Sequence, residues 1–134
     1  MMLTTLRLKE LEERRLELPM IAPSANRIWR TARGRTYLSA EAVEFYELTR
    51  LSLLRERPLP ETKLWAIIGV QRDWLNKSDG KWKKIDLDNR IKPTLDAIGK
   101  SNCKLLDHLV SLKLVFKIHH PTERKTVIHF FHKP

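Results

Sequence analysis

A short apolar run, Leu64 to Val70, is the feature that most restricts how this chain can fold. It contains β-branched and aromatic side chains and no charge, which predicts a buried strand. A helix is predicted before it, from the capping residue Ser39 to about Arg57, because glutamates open this segment, arginines close it and Pro58 follows. The apolar stripe expected on this helix consists of Val43, Tyr46, Leu48, Leu51 and Leu54.

A second helix is predicted after the apolar strand, from Asn89 or Lys92 to Ile98. Pro93 suits a first helical turn and Gly99 suits a helix end, so Asp86 to Asn89 is expected to be the turn that enters this helix.

Alternating segments predict the remaining strands. Arg15–Leu18 is expected to be one strand, and Val110–Ile118 and Thr126–Phe131 are expected to pair as a hairpin. The resulting order is that of an α/β domain of the α+β type, with a mixed sheet of about four strands and two main helices. We expect residues 15–134 to form this single domain and residues 1–14 to be an N-terminal extension.

The charge of the chain indicates a polyanionic partner. Its 134 residues include 26 lysines and arginines against 16 acids, a formal net charge of +10. Nucleic acid is the usual partner of so basic a small domain, although a merely soluble or ribosome-associated basic protein has the same composition. The single cysteine excludes an internal disulfide, and neither a signal peptide nor a membrane-spanning run is found. We therefore expect a soluble protein of the cytoplasm with no membrane partner.

Two polar, basic segments are candidates for contact with DNA. The first, Ser24 to Arg35, is predicted to be a loop in which Ser24 and Gly34 would let backbone amides approach a phosphate. The second, Gln71 to Lys84, is predicted to be a loop in which Trp74 and Trp82 either stack on bases or cover the edge of the core. The candidate DNA-binding residues are Asn26, Arg27, Arg30, Arg33, Arg35, Lys81, Lys83 and Lys84.

The acids of this basic chain are the candidates for catalysis. Asp86 and Asp88 are spaced to point the same way on extended backbone, and Asp107 precedes the Val110 strand. Two carboxylates ~5 Å apart repel each other by roughly 3 kcal/mol at an effective dielectric constant near 20, a cost that a bound Mg²⁺ would offset. Lys92, one helical turn after Asp88, could neutralise a scissile phosphate. From their spacing alone, plain helix capping and turn formation explain these aspartates better than a metal site does, and the basic charge of the chain is what favours the metal site.

These residues resemble the RusA family of Holliday junction resolvases. The resemblance lies in Pro23-Ser24-Ala25-Asn26-Arg27, in Asp86-Leu87-Asp88-Asn89 followed by Lys92, and in Leu106-Asp107 leading into Val110. It implies that Asp86, Asp88 and Asp107 bind Mg²⁺, with Mn²⁺ as a possible substitute, and that Lys92 is an essential cation.

The resemblance also implies how the protein works. It indicates a homodimer that resolves branched, four-way DNA by symmetric paired nicks in recombination and repair. It places the enzyme at the nucleoid and is compatible with a prophage gene. Two alternatives remain at this point: a non-catalytic nucleic-acid-binding module, and a nuclease for flaps or forks.

Overall fold

The structure, a computed structural model, describes residues 11–133. These residues form the α+β single domain predicted from the sequence. Two short 3-10 turns cover Ala25–Arg27 and Asp107–Leu109. None of the helices in the described range is long and apolar enough to cross a membrane. The strands and helices in chain order are β1 (Glu12–Leu18), β2 (Trp29–Ala32), β3 (Arg35–Leu38), α1 (Ala40–Ser52), β4 (Leu64–Arg72), α2 (Asp88–Gly99), β5 (Val110–His119) and β6 (Lys125–His132).

The main sheet has the strand order β1-β6-β4-β5, so the apolar strand β4 lies inside it. β4 pairs in parallel with β5 and antiparallel with β6, which makes the sheet mixed. The predicted hairpin of β5 and β6 is wrong, because β4 lies between the two strands. A strand this apolar is stabilised by a partner at each edge. The connection from β5 to β6 crosses the end of β4, where the His120 N–H donates to the Arg72 carbonyl at 2.9 Å.

Helix α1 begins where the sequence predicts and ends earlier. Ser39 caps it, its hydroxyl accepting from the Ala42 N–H at 3.1 Å. The helix ends at Ser52 rather than near Arg57. A turn over residues 53–55 follows, since residues just before a proline disfavour helical backbone.

The face that α1 buries also differs from the predicted stripe. The helix and the turn after it bury Ala42, Phe45, Thr49 and Leu53, whose small alanine and threonine allow close packing. Tyr46 is half-buried. The other members of the predicted stripe are exposed, namely Val43, Leu48, Leu51 and Leu54.

The core lies between one face of the sheet and the two helices. Alternate residues of β4, such as Ala66 and Ile68, pack there with Phe130 of β6 and with Leu95 and Ile98 of α2. The opposite face, which we call the outer sheet face, is largely apolar and is not covered by either helix of the described chain. Its apolar members are Trp65, Ile67, Leu112, Leu114, Phe116, Ile118, Val127 and Phe131.

Candidate active site and nucleic-acid surface

The start of α2 places two aspartates at the surface. The helix begins at Asp88, and the residue in the capping position is Leu87, which makes no side-chain cap. Asp86 accepts a hydrogen bond from the Asp88 N–H through Oδ1 at 2.9 Å. The capping interpretation therefore applies to Asp86 alone. The Asp88 side chain is exposed beside the positive end of the helix dipole, where an anionic side chain is stabilised.

The early start of α2 corrects the predicted one. We expected the regular helix to start near Lys92 so that Pro93 would lie in the first turn, but Pro93 lies beyond that turn and is buried. Proline has no N–H, so the helical hydrogen bond to the carbonyl of Asn89 is absent. Buried packing of Pro93, Leu95 and Ile98 offsets this loss.

Lys92 extends along α2 away from the acids. Its Nζ lies 3.5 Å from Asp96 Oδ1, and 73 % of its side chain is exposed. The two residues line a small cavity of about 150 Å³ together with Trp29, Tyr46 and Lys100. Lys92 is thus near the start of α2 but is paired with Asp96, and its contact with a phosphate stays a prediction.

Asp107 lies in the 3-10 turn that packs against α2 just before β5. Lys113 Nζ is 3.0 Å from its Oδ1, an ion-pair distance. This oxygen is buried, and the geometry at Lys113 is not that of a hydrogen bond, so the oxygen accepts none. A buried carboxylate oxygen without a donor is suited to a further cationic ligand.

The three aspartates are not gathered into one metal-binding group within a single chain. Over residues 11–133, no three His, Cys, Asp or Glu side chains are placed to hold a metal ion. The donor chemistry nevertheless fits Mg²⁺, which takes oxygen ligands and commonly only one or two protein carboxylates. Asp86 and Asp88 supply two such carboxylates, and Asp107 has an oxygen without a donor.

The histidines of the last two strands lie at ion-pair distance from acids. His129 Nδ1 lies 3.0 Å from Glu12 Oε1, and His132 Nε2 lies 2.6 Å from Glu13 Oε2. These pairs join β6 to β1 at the edge of the sheet.

The first basic segment is a hairpin rather than the expected loop. β2 and β3 pair around Arg33 and Gly34, whose φ angles of 52° and 74° are those of a tight hairpin turn. Arg30, Arg33 and Arg35 are exposed, and none has an ion pair within residues 11–133. The hairpin therefore presents three free cations to solvent.

The base of this hairpin is joined to both helices. The 3-10 turn that holds Asn26 and Arg27 packs against α2, and its side chains are exposed. The Ser39 hydroxyl, which caps α1, donates to the Arg27 carbonyl at 2.6 Å. Asn26 and Arg27 are in this way held beside the helix that carries Asp88.

The second basic segment is a narrow loop that leads to Asp86. Leu75 and Trp82 form a β-bridge across it. Lys81 and Lys84 are exposed, whereas Lys83 donates through Nζ to the Leu75 carbonyl at 3.1 Å and so supports the loop itself. Contact of all three lysines with DNA stays a prediction.

The two tryptophans of this segment have different environments. Trp74 is 1 % exposed, and its indole N–H donates to the Val70 carbonyl at 2.9 Å. Arg72 and Lys117 pack over its ring at 5.2 and 4.8 Å. Trp74 therefore belongs to the core, while Trp82, about half exposed, is free to stack.

Arg90 is a residue that sequence reasoning missed. It lies on α2 between Asp88 and Lys92, is half-buried, and donates through a guanidinium nitrogen to the Ala22 carbonyl. Burial lowers the pKa of Arg90, Glu41 raises it, and three further arginines lower it. The three arginines that lower the pKa of Arg90 are Arg72, Arg27 and Arg124. The sequence did carry one sign that Arg90 is unusual: it is a cation in the first turn of a helix, where the helix dipole disfavours positive charge.

Comparison with known proteins identifies the family. No curated protein matches the chain at a significant level. The family model "Endodeoxyribonuclease RusA" matches residues 19–128, most of the chain, including the hairpin, both helices and the three aspartates. The family is one of enzymes that hydrolyse phosphodiester bonds in DNA, which favours an enzyme over a non-catalytic binding module. The chain belongs to the RusA family of endodeoxyribonucleases.

Proposed function

We propose that this enzyme resolves four-way DNA junctions by symmetric paired nicks, as a Mg²⁺-dependent homodimer, in recombination and repair at the cytoplasmic nucleoid. The observation that carries the proposal is the exposed carboxylate of Asp88. It makes no capping bond and lies at the start of α2, the helix against which the turn at the base of the arginine hairpin packs. An acid in this position is available to a metal ion and close to a surface suited to a polyanion.

Each residue of the site has a role in this proposal. Asp86 and Asp88 would hold the metal ion, with Asp107 as the third carboxylate. The bound ion supplies an activated water and charge neutralisation at the leaving 3′ oxygen. Asp86 also orients the helix start, because its Oδ1 holds the Asp88 N–H.

Lys92 would neutralise the scissile phosphate. Its present partner, Asp96, holds it 3.5 Å away in an exposed pair, and such pairs contribute little stability. The ammonium can therefore leave Asp96 for a phosphate at small cost. On binding DNA, the ammonium would move from Asp96 back toward the start of α2.

A second copy of the chain would account for one feature of the structure. The outer sheet face, which neither helix of residues 11–133 covers, exposes about half of Leu114 and Phe116, and an exposed apolar patch of this kind is typical of an interaction surface. A two-fold symmetric dimer would place two sites on the two-fold symmetric junction, as paired nicking requires.

The proposal is tested by comparing DNA substrates of different architecture. Synthetic four-way, forked, flapped and linear duplexes of matched arm sequence would be incubated with the enzyme in Mg²⁺, Mn²⁺ or EDTA. We expect two symmetric nicks in the four-way junction with either metal and none in EDTA. Preferential cutting of flaps or forks would reassign the substrate, and equal cleavage of linear duplex would refute selectivity for branched DNA.

A further inference from the structure

Arginines from four segments lie around the end of the sheet where β1 and β4 stop and β6 begins. Gln71 pairs with Lys125, and Arg72 and Arg124 are the next residues along the chain on either side of this pair. Arg27 ends the 3-10 turn that packs against α2, and Arg90 projects from α2 itself. We call these four residues the arginine cluster.

Arg90 is the fixed member of the cluster. Its guanidinium donates to the carbonyl of Ala22 and is half-buried, so the surrounding chain sets its position. Arg124 borders a cavity of about 380 Å³ beside Ile21 and Pro23, the neighbours of Ala22 in the chain. A guanidinium has more donors than one carbonyl can accept, so Arg90 keeps free N–H groups for a second partner.

Basic groups outnumber acids around Arg90. Arg27, Arg72 and Arg124 act on its guanidinium together with the acid Glu41, and Glu41 and Glu44 line the cavity that Arg124 borders. None of the four arginines forms an ion pair within residues 11–133. Arginines held together in this way repel one another unless an anion joins them, and the planar guanidinium matches a phosphate group in particular.

We propose that the arginine cluster is a phosphate-binding site that holds a backbone phosphate of the DNA at a distance from the scissile one. Two residues along an α-helix correspond to a rotation of about 200°. Arg90 therefore faces nearly opposite to Asp88, and the cluster is separate from the acidic site. The identity of the anion as DNA rests on the proposed function.

Salt-dependent binding measures the number of phosphates that the protein contacts. Binding of a fluorescent four-way junction would be measured in EDTA, so that no cleavage occurs, over a series of salt concentrations. We expect Arg90→Gln and Arg124→Gln each to reduce the slope of log K against log salt by about one. Arg55→Gln is the matched control, since Arg55 is exposed and lies outside the cluster.

Glu41 provides a control of opposite sign. Glu41→Gln removes an acid that acts on Arg90, so we expect tighter junction binding than in the wild type. Slopes for Arg90→Gln and Arg124→Gln that equal the slope for Arg55→Gln would overturn the proposal. Weaker binding after Glu41→Gln would contradict it as well.

Thermal unfolding with inorganic phosphate separates this inference from the choice of DNA substrate. We expect phosphate to raise the Tm of the wild type more than that of Arg124→Gln, a variant at an exposed position that should fold normally. This readout holds even if the enzyme prefers forks to junctions. A phosphate effect without any change in the junction slope would overturn the assignment to DNA and indicate a site for free phosphate.

Discussion

Replacing Phe116 by alanine removes a ring from the edge strand β5 on the outer sheet face, where the proposed dimer would bury it. Phe116 is 45 % exposed, and it lies over Gly69, whose missing Cβ leaves room for its ring and for Ile118. If a phenylalanine presents roughly 200 Å² in all, about 90 Å² per subunit and about 180 Å² per dimer would be buried. At ~25 cal/mol per Å², this corresponds to at most about 4.5 kcal/mol of dimer stability.

The dimer dissociation constant should therefore rise by up to about three orders of magnitude in Phe116→Ala. Sedimentation equilibrium over a range of protein concentrations measures this constant directly. Leu51→Ala is the control, because Leu51 is similarly exposed but lies on α1, away from the sheet. A monomeric wild type at micromolar concentration, or equal dissociation constants for wild type and Phe116→Ala, would refute the reasoning.

Three further predictions concern the fold. Trp74→Ala should lower the free energy of unfolding by ~3–5 kcal/mol and Trp82→Ala by less than ~1 kcal/mol in urea titrations, since only Trp74 is buried; equal losses would contradict this. Gly99→Ala should lower the free energy of unfolding by ~1–3 kcal/mol, because the added Cβ would lie 2.9 Å from the backbone oxygen of Leu105. Unchanged stability would show that the backbone at Leu105 can shift to make room. Burial raises the pKa of Cys103 and so keeps its thiol protonated at neutral pH; it should react with a thiol reagent only in denaturant, and rapid native labelling would argue against burial.

Local signals were sufficient to predict where several elements begin and end. The Ser39 cap and the Gly99 helix end depend on a few adjacent residues, and both are confirmed. The pairing of β5 and β6 could not be obtained in this way. Their short connection is compatible with a hairpin, and only the pairing of each strand with β4 decides otherwise. The buried face of α1 was likewise mispredicted, because the more apolar residues are not the ones that pack.

In the candidate site, too, some features follow from neighbouring residues in the sequence, and others depend on how distant segments come together. That Asp88 is exposed and free of a cap follows from where α2 begins, and a proline beyond the first turn concealed that start. The partner of Lys92 is Asp96, an i, i+4 neighbour that the helical period could have indicated. The arginine cluster could not be predicted, since its members come from four separate segments of the chain and are brought together by the fold.

Cleavage of a synthetic four-way junction by the wild type and by Asp88→Asn tests the central claim most directly. Asp79→Asn is the matched control, because Asp79 is an exposed acid of the neighbouring loop. With Mg²⁺ we expect paired nicks from the wild type and the control, and cleavage reduced ~100-fold or more in Asp88→Asn while junction binding is retained. A wild type that binds junctions without cutting them in Mg²⁺ or Mn²⁺, or an Asp88→Asn variant as active as the wild type, would contradict the account.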